Sequence, residues 1–273
     1  MSHHPSYPSV FYMFARNSLI RDMTFRANFL IEIVSSMSWM IMNLGFYTLV
    51  YQHTPNIALW TQYEFFVFIS TTMFVNSLVQ AFFMLNAQEL SELVRTGGLD
   101  FALLKPIDTQ FLVSLRRVNW SSLGNFFVAL LLLAYSLPRI EGLELTVWQC
   151  LLYPLYVVLG VLILYSVMIT LAATSIWLGR NQSLYDFWFY ITNFSRYPME
   201  IYQGKFGTPL RLSFTFVIPI LVVINVPARL LAKPLSSEQL PLAAFAVVAA
   251  LFCLLGSRWV FNRALLSYRS ASS

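Results

Sequence analysis

Charge, histidine and cysteine are all scarce in this chain, and each scarcity closes off a kind of chemistry. Only 11% of the 273 residues are charged, against about 25% in an average soluble domain, so there is too little polar sequence to coat a globule. The three histidines are His3, His4 and His53. None lies inside a long apolar run and no H-E-x-x-H occurs, which disfavours a zinc protease or an intramembrane Ser-His protease. The pair near the start reads as a solvated tail rather than a metal site. No G-x-x-x-x-G-K-[ST] loop occurs either, so the chain is not expected to hydrolyse ATP by itself. Cys150 and Cys253 read as two separate free thiols. No catalytic, cofactor-binding or metal-ligating set is therefore expected.

What is abundant is apolar: 58% of the residues are hydrophobic and 16% aromatic. Runs at 33–50, 65–87, 118–137 and 151–178 carry almost no charge, and about 20 such residues cross the ~30 Å of a bilayer core as a helix. The whole chain, 1–273, reads as a single all-α integral membrane domain. Its formal net charge of +5 comes from 17 basic and 12 acidic residues without a cluster, so membrane orientation, not nucleic acid, accounts for it. The opening lacks the features of a cleaved secretory signal, and the N-terminus is expected to stay cytoplasmic. Over 7–30, Asn17, Arg21, Thr24 and Asn28 share one helical side and Leu19, Met23, Ala27 and Leu30 the other, the pattern of an interfacial helix. The connection after the first span has Trp60 and Tyr63 but no Lys or Arg, which places it outside. Glu32, Glu64, Asp186 and Arg196 lie near membrane depth. They read as interfacial anchors, or as a local pair of Asp186 with Arg180, or else as an ion relay.

The last third allows two topologies, both with six spans and cytoplasmic ends. In one, 182–197 is a short fifth span and 198–231 folds back from the outer side as broken helices; in the other, 212–231 crosses. The first puts 11 basic residues inside and 6 outside, the second 14 and 3, so charge bias alone favours the second.

Between the second and third spans lies SELVRTGGLDFALLKPID, 91–108. Leu90, Leu93 and Val94 make a narrow apolar stripe on a helix that otherwise carries Gln88, Glu89, Ser91, Glu92 and Arg95. Gly97 and Gly98 can stop that helix, and Pro106 suits the first turn of the next. A bare connection needs two to eight residues; a structured 88–105 is either a docking element or a passive interfacial loop.

LVRTGGLDFALLKP at 93–106, RYPMEIY at 196–202, FVIPILVVINVPARLL at 216–231 and the terminal LLSYRSASS together resemble the membrane subunits of type 2 ABC exporters. The resemblance implies a coupling helix in 88–105 that seats in a groove of a separate ABC ATPase dimer, with Glu89, Glu92, Leu93, Arg95, Gly97, Gly98, Leu99 and Asp100 as contacts or shape-holders. ATP and Mg would be held by that ATPase. It also implies a second permease subunit, identical or related, and a substrate path near spans one and five. Ser35, Ser36, Ser38, Trp39 and Asn43 are candidate path residues, and helix packing by small residues is the competing account. The same resemblance favours the first topology, with 198–231 as an outer re-entrant gate marked by Pro198, Pro219 and Pro227. A multi-pass protein of the bacterial inner membrane, in contact with lipid and not with nucleic acid, is the expectation. An ion-coupled secondary transporter and a non-transporting scaffold remain the alternatives.

Overall fold

The computed structural model describes residues 6–24, 26–178, 186, 189, 190, 192–234, 237 and 239–268, and their regular structure is helical throughout. Helix α1 spans Tyr7–Thr24 and α2 Arg26–His53. The expected interfacial helix over 7–30 takes in α1 and the start of α2; Phe25, between them, lies outside the described residues. Next come α3 (Gln62–Val79), a π turn (Gln80–Met84) and α4 (Leu85–Arg95) in one continuous rod. That rod holds 34 residues, about 50 Å at 1.5 Å per residue. A hydrocarbon layer of ~30 Å accommodates only part of it, so α4, with its charged residues, extends beyond the bilayer.

Two short helices follow, α5 (Gly98–Leu103) and α6 (Thr109–Leu115). The chain breaks after Leu115, and within the apolar run at 118–137 the helix α7 starts at Ser122 and ends at Ser136. The cause is capture of backbone N–H groups that a continuing helix would need. Val118 N–H donates to Ser18 Oγ (3.0 Å) and Trp120 N–H to Asp22 Oδ2 (3.2 Å), both on α1. Asn119 Oδ1 accepts Ser121 N–H at 3.1 Å, the local side-chain competition that breaks helices.

Further along lie α8 (Val147–Ala173), α9 (Ser175–Leu178), α10 (Gly204–Leu212), α11 (Ile220–Ala232) and α12 (Leu240–Ser267). Among the described residues, five stretches are long and apolar enough to cross a membrane: Ile33–His53, Gln62–Arg95, Ser122–Arg139, Val147–Leu178 and Leu240–Ser267. A sixth arises if Gly204–Val217 and Ile220–Ala232, bent 88° apart, count as one span. Of the expected short span at 182–197, residues 182–185, 187, 188 and 191 lie outside the described residues.

The main core joins α3, α7, α8 and α11 through Phe65, Phe68, Phe74, Val161, Leu164 and Val223, all buried. Nearly every side chain of α11 is buried, because it lies in a cradle of α3, α8 and α12. Gly160 makes this possible: a Cβ there would stand 2.7 Å from the Val223 carbonyl oxygen. Small residues let membrane helices approach closely. Pro227 has no N–H to give that same carbonyl four residues back, so an oxygen freed by proline meets a backbone cleared by glycine. By contrast, none of the apolar window of α2 is buried within the chain.

Candidate functional site

The two ends of the bundle carry different polar constructions. At the end bearing α5, helix α4 stops when Thr96 turns back, its N–H and Oγ1 both donating to the Glu92 carbonyl at 2.9 and 2.8 Å. Gly97 then adopts φ 73°, the left-handed region that glycine enters without steric cost, and α5 sets off in a new direction. Gly98 packs against Leu93, whose Cδ2 would sit 2.9 Å from an added Cβ.

The turn is fastened at three points. Glu89 binds Arg116 at 2.8 Å and also Arg117. Asn86 exchanges two hydrogen bonds with the Arg117 backbone: its Nδ2 donates to Arg117 O (2.7 Å) and its Oδ1 accepts from Arg117 N–H (2.9 Å). Asn119 N–H donates to Ala81 O (2.8 Å), a carbonyl in the π turn, where the usual helical ladder is interrupted. Beneath these, Leu90, Leu99 and Ala102 pack with Leu112, Ile169, Ala173, Phe261 and Ala264, so α8 and α12 also hold the turn.

Asp108 links the turn to the far helix. Its Oδ1 caps α6 by accepting Phe111 N–H (2.8 Å) and accepts from Arg258 Nη1 of α12 (2.9 Å), while Oδ2 accepts from Arg258 Nη2. Arg258 also donates to Gln110 (3.1 Å), and Gln110 in turn to Tyr165 OH (3.0 Å). Burial pushes the Asp108 carboxyl up, but the Arg258 bond and the Phe111 N–H outweigh it and hold the group below its ordinary range.

The expected contact residues divide into two sets. Glu89 and Leu99 face the chain itself, the one in its arginine clamp and the other fully buried. Leu93 and Asp100 are half-buried, the latter beside Tyr268, whose phenol is pushed up by burial and then by that carboxylate. Glu92 and Arg95 are exposed and joined to each other at 2.6 Å. Outside the expected set, Phe101 and Leu104 are 72% and 81% exposed, and Leu103 is exposed beside them. An apolar knob thus projects from the best-fastened part of this end. Its trace in the sequence is Phe101 and Leu104, three apart, between the glycine pair and Lys105-Pro106.

At the opposite end, Trp60 is buried, donates from Nε1 to Glu200 Oε2 (3.4 Å) and lies under Lys233 Nζ (4.8 Å). Lys233 Nζ donates to Leu59 O (2.7 Å), and Arg229 pairs with Glu200. Buried Asn225 accepts Met199 N–H at 2.8 Å. Residues 199–200 and 229–233, which flank the bent pair, therefore meet at one end of the bundle. Pro198 opens the short turn before the pair, Pro219 stands at the bend, and Pro227 is buried inside α11. Among the expected path residues, Ser35 and Ser38 are exposed on α2 and Asn43 is half-buried, with Ser38 Oγ bonded back to Val34 O at 2.8 Å. The side chains of Ser36, Trp39 and Glu32, and all of Arg180, lie outside the described residues. Among the described residues no three His, Cys, Asp or Glu side chains come together.

A family model described as ABC-2 family transporter protein matches residues 37–272. The chain belongs to the ABC-2 transporter family. No curated protein and no solved structure matches it. Membership makes this ABC-2 protein a multi-pass membrane permease. The matched range begins inside α2 and takes in both polar constructions, the α4 to α6 turn and the cluster around Trp60.

Proposed function

We propose that this ABC-2 chain is the permease subunit of an ATP-driven exporter, coupled through the α4 to α6 turn to a separate ATPase dimer that holds ATP and Mg. The supporting observation is the exposed knob of Phe101, Leu103 and Leu104 on a turn clamped by Glu89, Asn86 and Asp108. A fastened element moves as a rigid body, so displacement of α5 is passed to α4, α8 and α12 together. The α5 end is cytoplasmic: Arg16, Arg21, Arg95, Lys105, Arg116 and Arg117 cluster in its segments, as the positive-inside rule expects. The bent pair then enters from the outer side as a re-entrant gate, latched by Glu200, Arg229 and Trp60, and 182–197 is the fifth of six spans. The exposed side of α2 is the face for a second permease subunit and the substrate path, in the bacterial inner membrane.

Burying Phe101 and Leu104 in a partner groove contributes about 3–5 kcal/mol before ordering costs. The test is co-expression with the ATPase encoded beside this chain, purification through the permease, and measurement of association and ATP hydrolysis. Phe101→Ser with Leu104→Ser is expected to weaken association by at least about a hundredfold while the permease alone melts like wild type. Unchanged association would remove the knob as the docking element. Failure of any ATPase to bind the wild-type chain, even with a second permease supplied, would overturn the exporter reading.

A further inference from the structure

Helix α11 reaches only about 20 Å into the bundle, 13 residues at 1.5 Å each. Below its bend a groove of about 460 Å³ opens between α8 and α12, roofed by Phe216 to Pro219 and running along α12 from Val248 to Val260. Those thirteen residues of helix, separated by twelve rises of 1.5 Å, span about 18 Å, close to one leaflet of the ~30 Å hydrocarbon layer. Phe252 on its rim is 76% exposed. Two of the three hydroxyls in its wall are bonded back to their own helices, Ser166 Oγ to Leu162 O (2.8 Å) and Ser257 Oγ to Leu254 O (2.9 Å), and Thr170 carries the third. A ligand lying here meets a wall that is mostly hydrocarbon.

At the end of the groove nearest α5, Trp259 lies on its rim and is exposed, as an interfacial tryptophan is. One turn further on, the exposed Arg263 holds its guanidinium 5.9 Å over the Trp259 ring. An apolar slot one leaflet deep thus ends at a cation at headgroup level. We propose that this groove is a binding site for one anionic phospholipid, its acyl chain beneath the α11 bend and its phosphate at Arg263. Both the depth of the slot and the sign of the charge at its mouth select this occupant. The site does not depend on how the chain is coupled to ATP.

Gly256 permits a direct test, because it lines the groove and a Cβ built on it meets no atom within 4 Å. Gly256→Leu therefore fills the slot without disturbing the chain's own packing. The full chain, delipidated in detergent, is titrated with dioleoyl phosphatidylglycerol or dioleoyl phosphatidylcholine and bound lipid is counted by native mass spectrometry. Wild type is expected to take one phosphatidylglycerol in preference. Gly256→Leu is expected to lose binding of both lipids at that stoichiometry. Arg263→Gln, an exposed change that leaves the fold intact, is expected to lower the preference about fivefold and leave phosphatidylcholine unchanged. Wild-type lipid counts in Gly256→Leu, or an undiminished preference in Arg263→Gln, would overturn the proposal. So would a loss of dimer mass in Gly256→Leu at unchanged lipid count, which would assign the groove to a second copy.

Discussion

Gly160→Ala tests the contact on which the buried position of α11 rests. Alanine is the better helix former by about 1 kcal/mol, so at an open helical site the change stabilises. Gly45 on α2 is such a site, with no atom within 4 Å of an added Cβ. At Gly160 the same methyl would lie 2.7 Å from the Val223 carbonyl oxygen and 3.0 Å from Val223 Cγ1. The oxygen belongs to backbone and cannot rotate away, so α8 and α11 must separate. Such overpacking costs about 1–3 kcal/mol. The two variants share their chemistry, so their difference isolates the packing cost. Thermal unfolding of the purified chains in one detergent is the assay; at roughly 2–4 °C per kcal/mol, Gly160→Ala is expected to melt several degrees below Gly45→Ala. Equal melting temperatures would refute the close approach of α8 and α11.

Two further outcomes follow from the polar constructions. Because the folded Asp108 carboxyl is held below its ordinary value, it contributes stability above the unfolded pKa of about 3.9, and this is lost as pH falls through the lowered folded value. The pair with Arg258 is part-exposed and screened, so the effect is at most about 1 kcal/mol. Asp108→Asn is expected to remove that acid-dependent component from melting curves taken between pH 3 and 6, and an unaltered profile would exclude Asp108 as its source. Asn225→Ala strands the buried Met199 N–H, a loss of about 1–3 kcal/mol. It should loosen the 198–203 turn, read as faster proteolysis or hydrogen exchange there, and wild-type protection would contradict the latch.

The apolar runs by themselves determined that the chain is helical and crosses a membrane, because a backbone in hydrocarbon must satisfy its own hydrogen bonds and the lengths match. Gly97 was equally legible, since a glycine pair ending a polar helix announces a positive φ. The motifs at 93–106, 196–202 and 216–231 carried the family. The start of α7 was not legible. It depends on Ser18 and Asp22 taking backbone donors about a hundred residues away, and no local pattern encodes such a partner. For the same reason Glu89 and Leu99 read as surface contacts, although the fold turns one into an arginine clamp and the other into core. Phe101 and Leu104 stood out only once α8 and α12 had covered the opposite face of α5. The placing of 198–231 likewise needed three dimensions. Charge counting favoured a crossing, whereas the meeting of Glu200 and Lys233 with the loop around Trp60 supports the proposed re-entrant gate. Periodicity and composition are properties of neighbouring residues along the chain; which faces are covered, and by what, is settled by contacts between residues far apart in it.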